Sequence, residues 1–142
     1  MTSTGRSDWL RLILATILIA AVVVPWTSYE DHGAHWINAR WMPFAVRAGS
    51  PPSVLDRARG GAEMAGNIVL YVPFGLASRR LFGPWRTLAL AVSLSTLTEW
   101  SQLYSHERIP STADVICNLA GAWIGIRWRE RYGLRGTDPQ NS

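Results

Sequence analysis

The chain of 142 residues holds one cysteine, Cys117, and no lysine. A lone cysteine cannot close an internal disulfide, so redox chemistry gives no reading of the compartment. Without lysine, all fourteen basic residues are arginine, a mark of genomic composition rather than of function. Several chemical signatures are missing as well. There is no glycine loop to cradle phosphate, no nucleophile elbow and no HExxH pair, which removes the usual signals of nucleotide binding, hydrolase chemistry and zinc proteolysis. His32 and His35 stand three apart, but no cysteine or carboxylate pattern completes a metal-ligand set around them. No metal or other cofactor is expected. No internal repeat or low-complexity stretch is visible.

The chain does contain four apolar segments, at residues 10–26, 62–82, 85–104 and 112–128. Each has 17–21 residues, close to the roughly 20 that cross a hydrocarbon core about 30 Å thick. The mean hydropathy of +0.04 averages these blocks with arginine-rich connections. Eight tryptophans are many for this length, and Trp9, Trp26, Trp85 and Trp128 stand at block edges, where aromatic rings mark membrane interfaces. The expected fold class is therefore all-α, an integral membrane bundle of four transmembrane helices. A signal peptide is the rival reading of the first block, but Val-Pro-Trp-Thr-Ser-Tyr after it offers no Ala-x-Ala-like cleavage site, and a retained anchor is expected.

Arginine distribution sets the expected topology. Nine arginines (Arg6, Arg11, Arg79, Arg80, Arg86, Arg127, Arg129, Arg131 and Arg135) fall on the side of the N-terminus and five (Arg40, Arg47, Arg57, Arg59 and Arg108) on the other. The positive-inside rule then places both termini in the cytoplasm. In this reading residues 1–9 are a cytoplasmic N-terminus, 10–26 the first span, 27–61 an extracytoplasmic loop, 62–128 a core of three spans and 129–142 a cytoplasmic, disordered tail. Within the long loop, Trp36, Ile37, Trp41 and Phe44 read either as a stripe on a short surface helix ending near Pro43 or as a plain loop with anchoring tryptophans. Pro73 is expected to kink the second span. The arginines flank the apolar blocks instead of lining one face, so topology accounts for the net charge of +4 and no nucleic-acid partner is expected.

The polar residues inside the apolar blocks gather at one end. Asn67, Glu99, Gln102, Asp114 and Asn118 lie on three helices at the outer side in this topology, with His106 and Arg108 in the loop between. A charge at the middle of a span costs about 2.5–3.5 kcal/mol on the insertion scale, so the accumulation points to a polar binding site. Glu99 and Gln102 share a face at i,i+3, as do Asp114 and Asn118 at i,i+4, and Gly121 and Gly125 continue that second face with GxxxG spacing. Blander roles stand beside this one. Ser111-Thr112-Ala113-Asp114 matches a capping box. Asn67, Gln102 and Asn118 could bond only across helices, and Arg108 could pair only with Glu107. Glu99 is hardest to read as structural, because a carboxylate inside the membrane needs a proton or a partner. Arg108 is the nearest cation and could grip Glu99 or Asp114 with two bonds.

The series Asn67-x5-Pro73-x-Gly75, then Glu99-x2-Gln102, then Arg108-x5-Asp114-x3-Asn118-x2-Gly121 resembles the VanZ-like family of small bacterial membrane proteins. The resemblance covers roughly residues 60–126, with its specific part from Glu99 to Gly121. It implies a helical protein of the bacterial inner membrane. The family's founding member is linked to low-level resistance to teicoplanin, a glycopeptide antibiotic, and no reaction or cofactor comes with the resemblance. Two functions follow as expectations. In the first, the polar cluster binds a membrane lipid, such as a cell-envelope lipid precursor, or a protein partner at the outer leaflet. In the second, the protein is a small membrane enzyme working on a lipid headgroup, with Glu99 and Asp114 as acid and base and Arg108 holding an anionic group. The sequence leaves the oligomeric state open.

Overall fold

The structure, a computed structural model, describes residues 3–25, 53–105 and 110–133. Arg108, the three histidines, the Trp36–Phe44 stripe and the segment after Gly133 lie outside the described residues. The described chain is all-helical: α1 Ser3–Val23, α2 Val54–Phe82, α3 Pro84–Gln102 and α4 Thr112–Gly133. Helix α2 packs against each of the other three, most extensively against α4, and α4 also packs on α3.

Local chemistry sets the helix ends. Helix α2 begins at Val54, so part of the expected loop 27–61 is helical. The cause is a reciprocal cap: Ser53 Oγ accepts the Asp56 N–H at 3.1 Å, and Asp56 Oδ2 accepts the Ser53 N–H at 3.0 Å. At its other end one residue turns the chain. Gly83, at φ +81°, donates to the Arg79 carbonyl at 3.2 Å and accepts the Thr87 N–H and Oγ at 3.1 and 2.8 Å. It closes α2 and opens α3, whose first residue is Pro84. Only glycine adopts that φ at little cost. Pro73 falls inside α2 without ending it.

The α2–α4 crossing is set by glycine. A Cβ on Gly121 would strike the carbonyl of Ile68, one on Gly125 the carbonyl of Val72, and one on Gly75 the carbonyl of Ala122. The GxxxG spacing thus lets two backbones touch. Around the crossing, Leu12, Ala15, Ile19 and Val23 form a stripe down α1 against Tyr71, Phe74, Ala77, Ala91 and Ala122. Trp9 meets Phe82 edge-on at 5.5 Å, which ties the start of α1 to the end of α2.

The distribution of polarity is reversed relative to a water-soluble bundle. Leu10, Ile13, Leu14, Ile17, Leu18 and Val22 of α1 are exposed, as are Val69, Trp85, Leu97, Trp100, Trp123 and Ile124. Inside lie Asp8, Ser78, Thr87, Ser95, Thr98, Glu99, Gln102 and Asn118. The expectation of four helices agrees with the structure, but no helix of the described residues is long and apolar enough to cross a membrane. The physical reason is composition. Helix α1 includes Arg6, Asp8 and Arg11, α3 carries a polar inner stripe, and α4 carries Asp114, Asn118, Arg127 and Arg129.

Candidate functional site

The ends of α1 and α3 and the start of α4 meet at one end of the bundle. Glu99, in the last turn of α3, is buried and accepts the backbone N–H of Ser111 on Oε2 at 2.7 Å. Ser111 precedes α4 and caps it, its Oγ accepting the Ala113 N–H at 3.2 Å. In a capping box the Ser111 amide would go to Asp114; here the side chain of a neighbouring helix takes it. A carboxylate on the amide at a helix start also satisfies the positive end of that helix's dipole.

Gln102, one turn further along α3, is buried and donates from Nε2 to the Val23 carbonyl at 3.2 Å. The last carbonyls of a helix have no intrahelical partner, and Gln102 supplies one for α1. Asn118 of α4 is fully buried and donates from Nδ2 to Ser95 Oγ of α3 at 2.8 Å. Its Oδ1 has no hydrogen-bond partner among the described residues. Other buried hydroxyls bond back to their own helix: Thr98 to the Ser95 carbonyl at 2.8 Å and Ser78 to the Phe74 carbonyl at 2.7 Å.

Asp114 and Asn67 are half-buried. Asp114 lies in the first turn of α4, and its N–H donates to the Ser111 carbonyl at 3.1 Å. Asn67 sits one turn above Tyr71 on α2. Of the predicted residues, Glu99, Gln102 and Asn118 are thus the buried, cross-bonded ones, and their described bonds reach Ser111, Val23 and Ser95. Arg108 lies outside the described residues.

Sequence reasoning passed over Tyr71, Ser95 and Thr98. Tyr71 is fully buried, and its hydroxyl lies near Ser95, Thr98 and Glu99 without meeting hydrogen-bond geometry. A signal was present: Ser95, Thr98, Glu99 and Gln102 fall at i, i+3, i+4 and i+7, one helical face. Asp8 was passed over too. At the opposite end of the bundle its buried carboxylate faces Arg80 at 3.2 Å, Arg11 at 3.7 Å and Arg129 at 3.9 Å. Beside it Glu130 pairs with Arg79 at 3.3 Å and Arg127 at 3.1 Å. Among the described residues no group of histidine, cysteine and carboxylate side chains could hold a metal.

Fold and site together define a small helical bundle with an apolar exterior, glycine-packed helices and polar residues buried at both ends. A family model, VanZ/LLP1, matches residues 9–128, and the chain belongs to that family. The match takes in most of α1 and the segment that follows it, beyond the residues 60–126 in which the motif lies. No curated protein and no solved structure matches the chain.

Proposed function

We propose that the protein is a multi-pass protein of the bacterial inner membrane, with both termini cytoplasmic. We further propose that the Glu99 end of the bundle engages an envelope lipid or partner at the outer leaflet. The observation that carries the membrane reading is the reversed polarity: leucine, isoleucine, valine and tryptophan cover the outside while Asp8, Ser95, Glu99, Gln102 and Asn118 are buried. The hydropathy of a single helix counts inward-facing polar groups that lipid never meets. In a packed bundle only the outward face must be apolar, and polar groups within spans face the interior and pair there. So extended an apolar surface calls for a lipid or protein cover.

Binding is favoured over acid–base chemistry because Glu99 already holds the Ser111 amide. A carboxylate engaged in closing a helix end is better placed to shape a site than to shuttle protons. A contribution to teicoplanin-type glycopeptide resistance belongs to this proposal: occupancy of the outer end would alter antibiotic access to the envelope.

Single cysteines at Val54 and Tyr132, both exposed, test the topology in a Cys117→Ser background. The protein is expected in the carbonate-resistant membrane fraction. An impermeant thiol reagent on intact cells is expected to label position 54 and spare position 132. Release of the protein with soluble material would end the membrane reading, and reversed labelling would move the site to the cytoplasmic face. Lipids that co-purify, identified by mass spectrometry, then test the outer end: loss of an envelope lipid in Glu99→Gln, which keeps an acceptor for Ser111, at parental protein levels is the expected result.

A further inference from the structure

We propose that the opposite end of the bundle carries a second site, a cleft between α1 and α2 that takes an anionic phospholipid. The headgroup phosphate would lie between Arg11 and Arg129, and an acyl chain would run along Leu14, Leu18 and Leu76. The cleft has a volume of about 370 Å³ and is lined by Leu14, Ala15 and Leu18 of α1 and Pro73, Leu76 and Ala77 of α2, with Arg11 and Arg129 closing one end. It is an apolar trough with a cationic mouth, the division of an anionic amphiphile.

Charge complementarity argues for that occupant. Arg11, Arg80 and Arg129 face the single carboxylate of Asp8, which leaves a surplus of two positive charges. The guanidiniums of Arg11 and Arg129 stand 3.7 and 3.9 Å from Asp8 Oδ1, too far to be hydrogen bonds. Asp8 holds them by charge, and among the described residues no hydrogen bond takes their donors, which leaves them for another oxygen. Planar guanidiniums grip phosphate through paired N–H groups. Asp8, buried at the base of this arrangement, acts as a positioning residue that keeps the two forks at the mouth.

Length and depth agree with the same occupant. From Arg11 to Leu18 is seven residues, about 10 Å along a helix, the reach of a chain of roughly eight carbons. The arginines stand at the end of α1 where its charged first turns lie, and the apolar wall runs toward the middle of the bundle. A lipid headgroup at an interface with its chain directed inward has this polarity. The proposal rests on the membrane reading for its supply of lipid and is independent of the Glu99 end.

The test uses the purified full chain in mild detergent, with native mass spectrometry of added dioctanoyl phosphatidylglycerol, dioctanoyl phosphatidylcholine and inorganic phosphate. Phosphatidylglycerol is expected to bind about tenfold more tightly than phosphatidylcholine, and phosphate is expected not to displace it. The double variant Arg11→Gln/Arg129→Gln should erase the preference between the two lipids. Leu18→Trp, a change at an exposed wall position that leaves the charges intact, should weaken both lipids by filling the trough. Equal binding of the two lipids, displacement by inorganic phosphate alone, or unchanged binding in Leu18→Trp would each overturn the proposal. Failure of the membrane reading would show separately, as soluble protein on cell fractionation.

Discussion

Glu99 and Ser111 join two helices through one bond: the carboxylate in the last turn of α3 accepts, at 2.7 Å, the backbone N–H of the residue that caps α4. The end of α3 and the start of α4 are thereby joined, with Gln102 tying the same corner to the end of α1. At this corner α1, α3 and α4 are linked by side chains that serve backbone groups.

The bond predicts different outcomes for two substitutions. Glu99→Gln keeps an acceptor oxygen for Ser111 and should fold at close to the parent level. Glu99→Ala leaves the amide unpaired in a part-buried site and should lower stability by about 1–3 kcal/mol. Melting of both variants in detergent decides this. Equal behaviour of glutamine and alanine would mean that the carboxylate does not hold the corner.

Ser95 and Asn118 make a second, asymmetric case. Asn118 Nδ2 donates to Ser95 Oγ, while Asn118 Oδ1 has no partner among the described residues. Asn118→Leu removes both ends of a partly satisfied amide and replaces them with apolar volume, so its cost should be small. Ser95→Ala leaves the amide buried with neither end bonded, and should cost more, about 1–2 kcal/mol. On the proposed membrane reading, a double-mutant cycle should return a coupling of about 0.6 kcal/mol, the usual scale for side-chain bonds between packed helices in lipid. Ser95→Ala milder than Asn118→Leu would refute this account.

Helix count and the interest of Glu99, Gln102 and Asn118 were legible in the sequence, because charges and amides stand out in apolar blocks. Their partners were not. Ser95 and the Val23 carbonyl look like any helical serine and any backbone group, and only packing shows which of them meets an amide. The early start of α2 was overlooked because Ser53 and Asp56 lie in a stretch rich in proline, glycine and arginine, which hides a capping signal. Asp8 was overlooked for a related reason: an acid before the first apolar block reads as a solvated terminus, and its burial depends on Arg80 and Arg129, over seventy and over a hundred residues away in sequence. The family motif found its physical basis in part, since Gly75 and Gly121 are the points where α2 and α4 touch.

The Ser53–Asp56 cap carries a pH dependence. Hydrogen bonds from the Ser53 side chain and then its backbone hold the Asp56 carboxyl below its ordinary value. A carboxylate whose folded pKa is depressed adds stability above its unfolded pKa and loses it as pH falls through the folded one. The first turn of α2 should therefore fray below about pH 4. Ser53→Ala should return the Asp56 titration toward the ordinary carboxylate range and abolish that fraying step. Carboxyl carbon shifts measured by NMR against pH read both, and an Asp56 titration identical in the two proteins would exclude the cap as the cause.

The glycines supply the sharpest contrast within one fold. Gly121 and Gly125 approach α2 so closely that an added Cβ meets the carbonyls of Ile68 and Val72. Those are backbone atoms inside a helix and cannot swing aside as a side chain can. Gly121→Ala and Gly125→Ala must therefore push α2 and α4 apart, at a cost of about 1–3 kcal/mol or more each. Separation would also disturb Asn118, one turn before Gly121, and its bond to Ser95. Gly66, on the same helix as Ile68, has nothing within 4 Å of its would-be Cβ. Gly66→Ala meets no clash and gains helix propensity of up to about 1 kcal/mol. Melting temperatures in detergent should fall for Gly121→Ala and Gly125→Ala and hold or rise for Gly66→Ala. Were all three to behave alike, glycine would be serving the sequence only as a weak helix former, and the close α2–α4 crossing would not be what holds the bundle together.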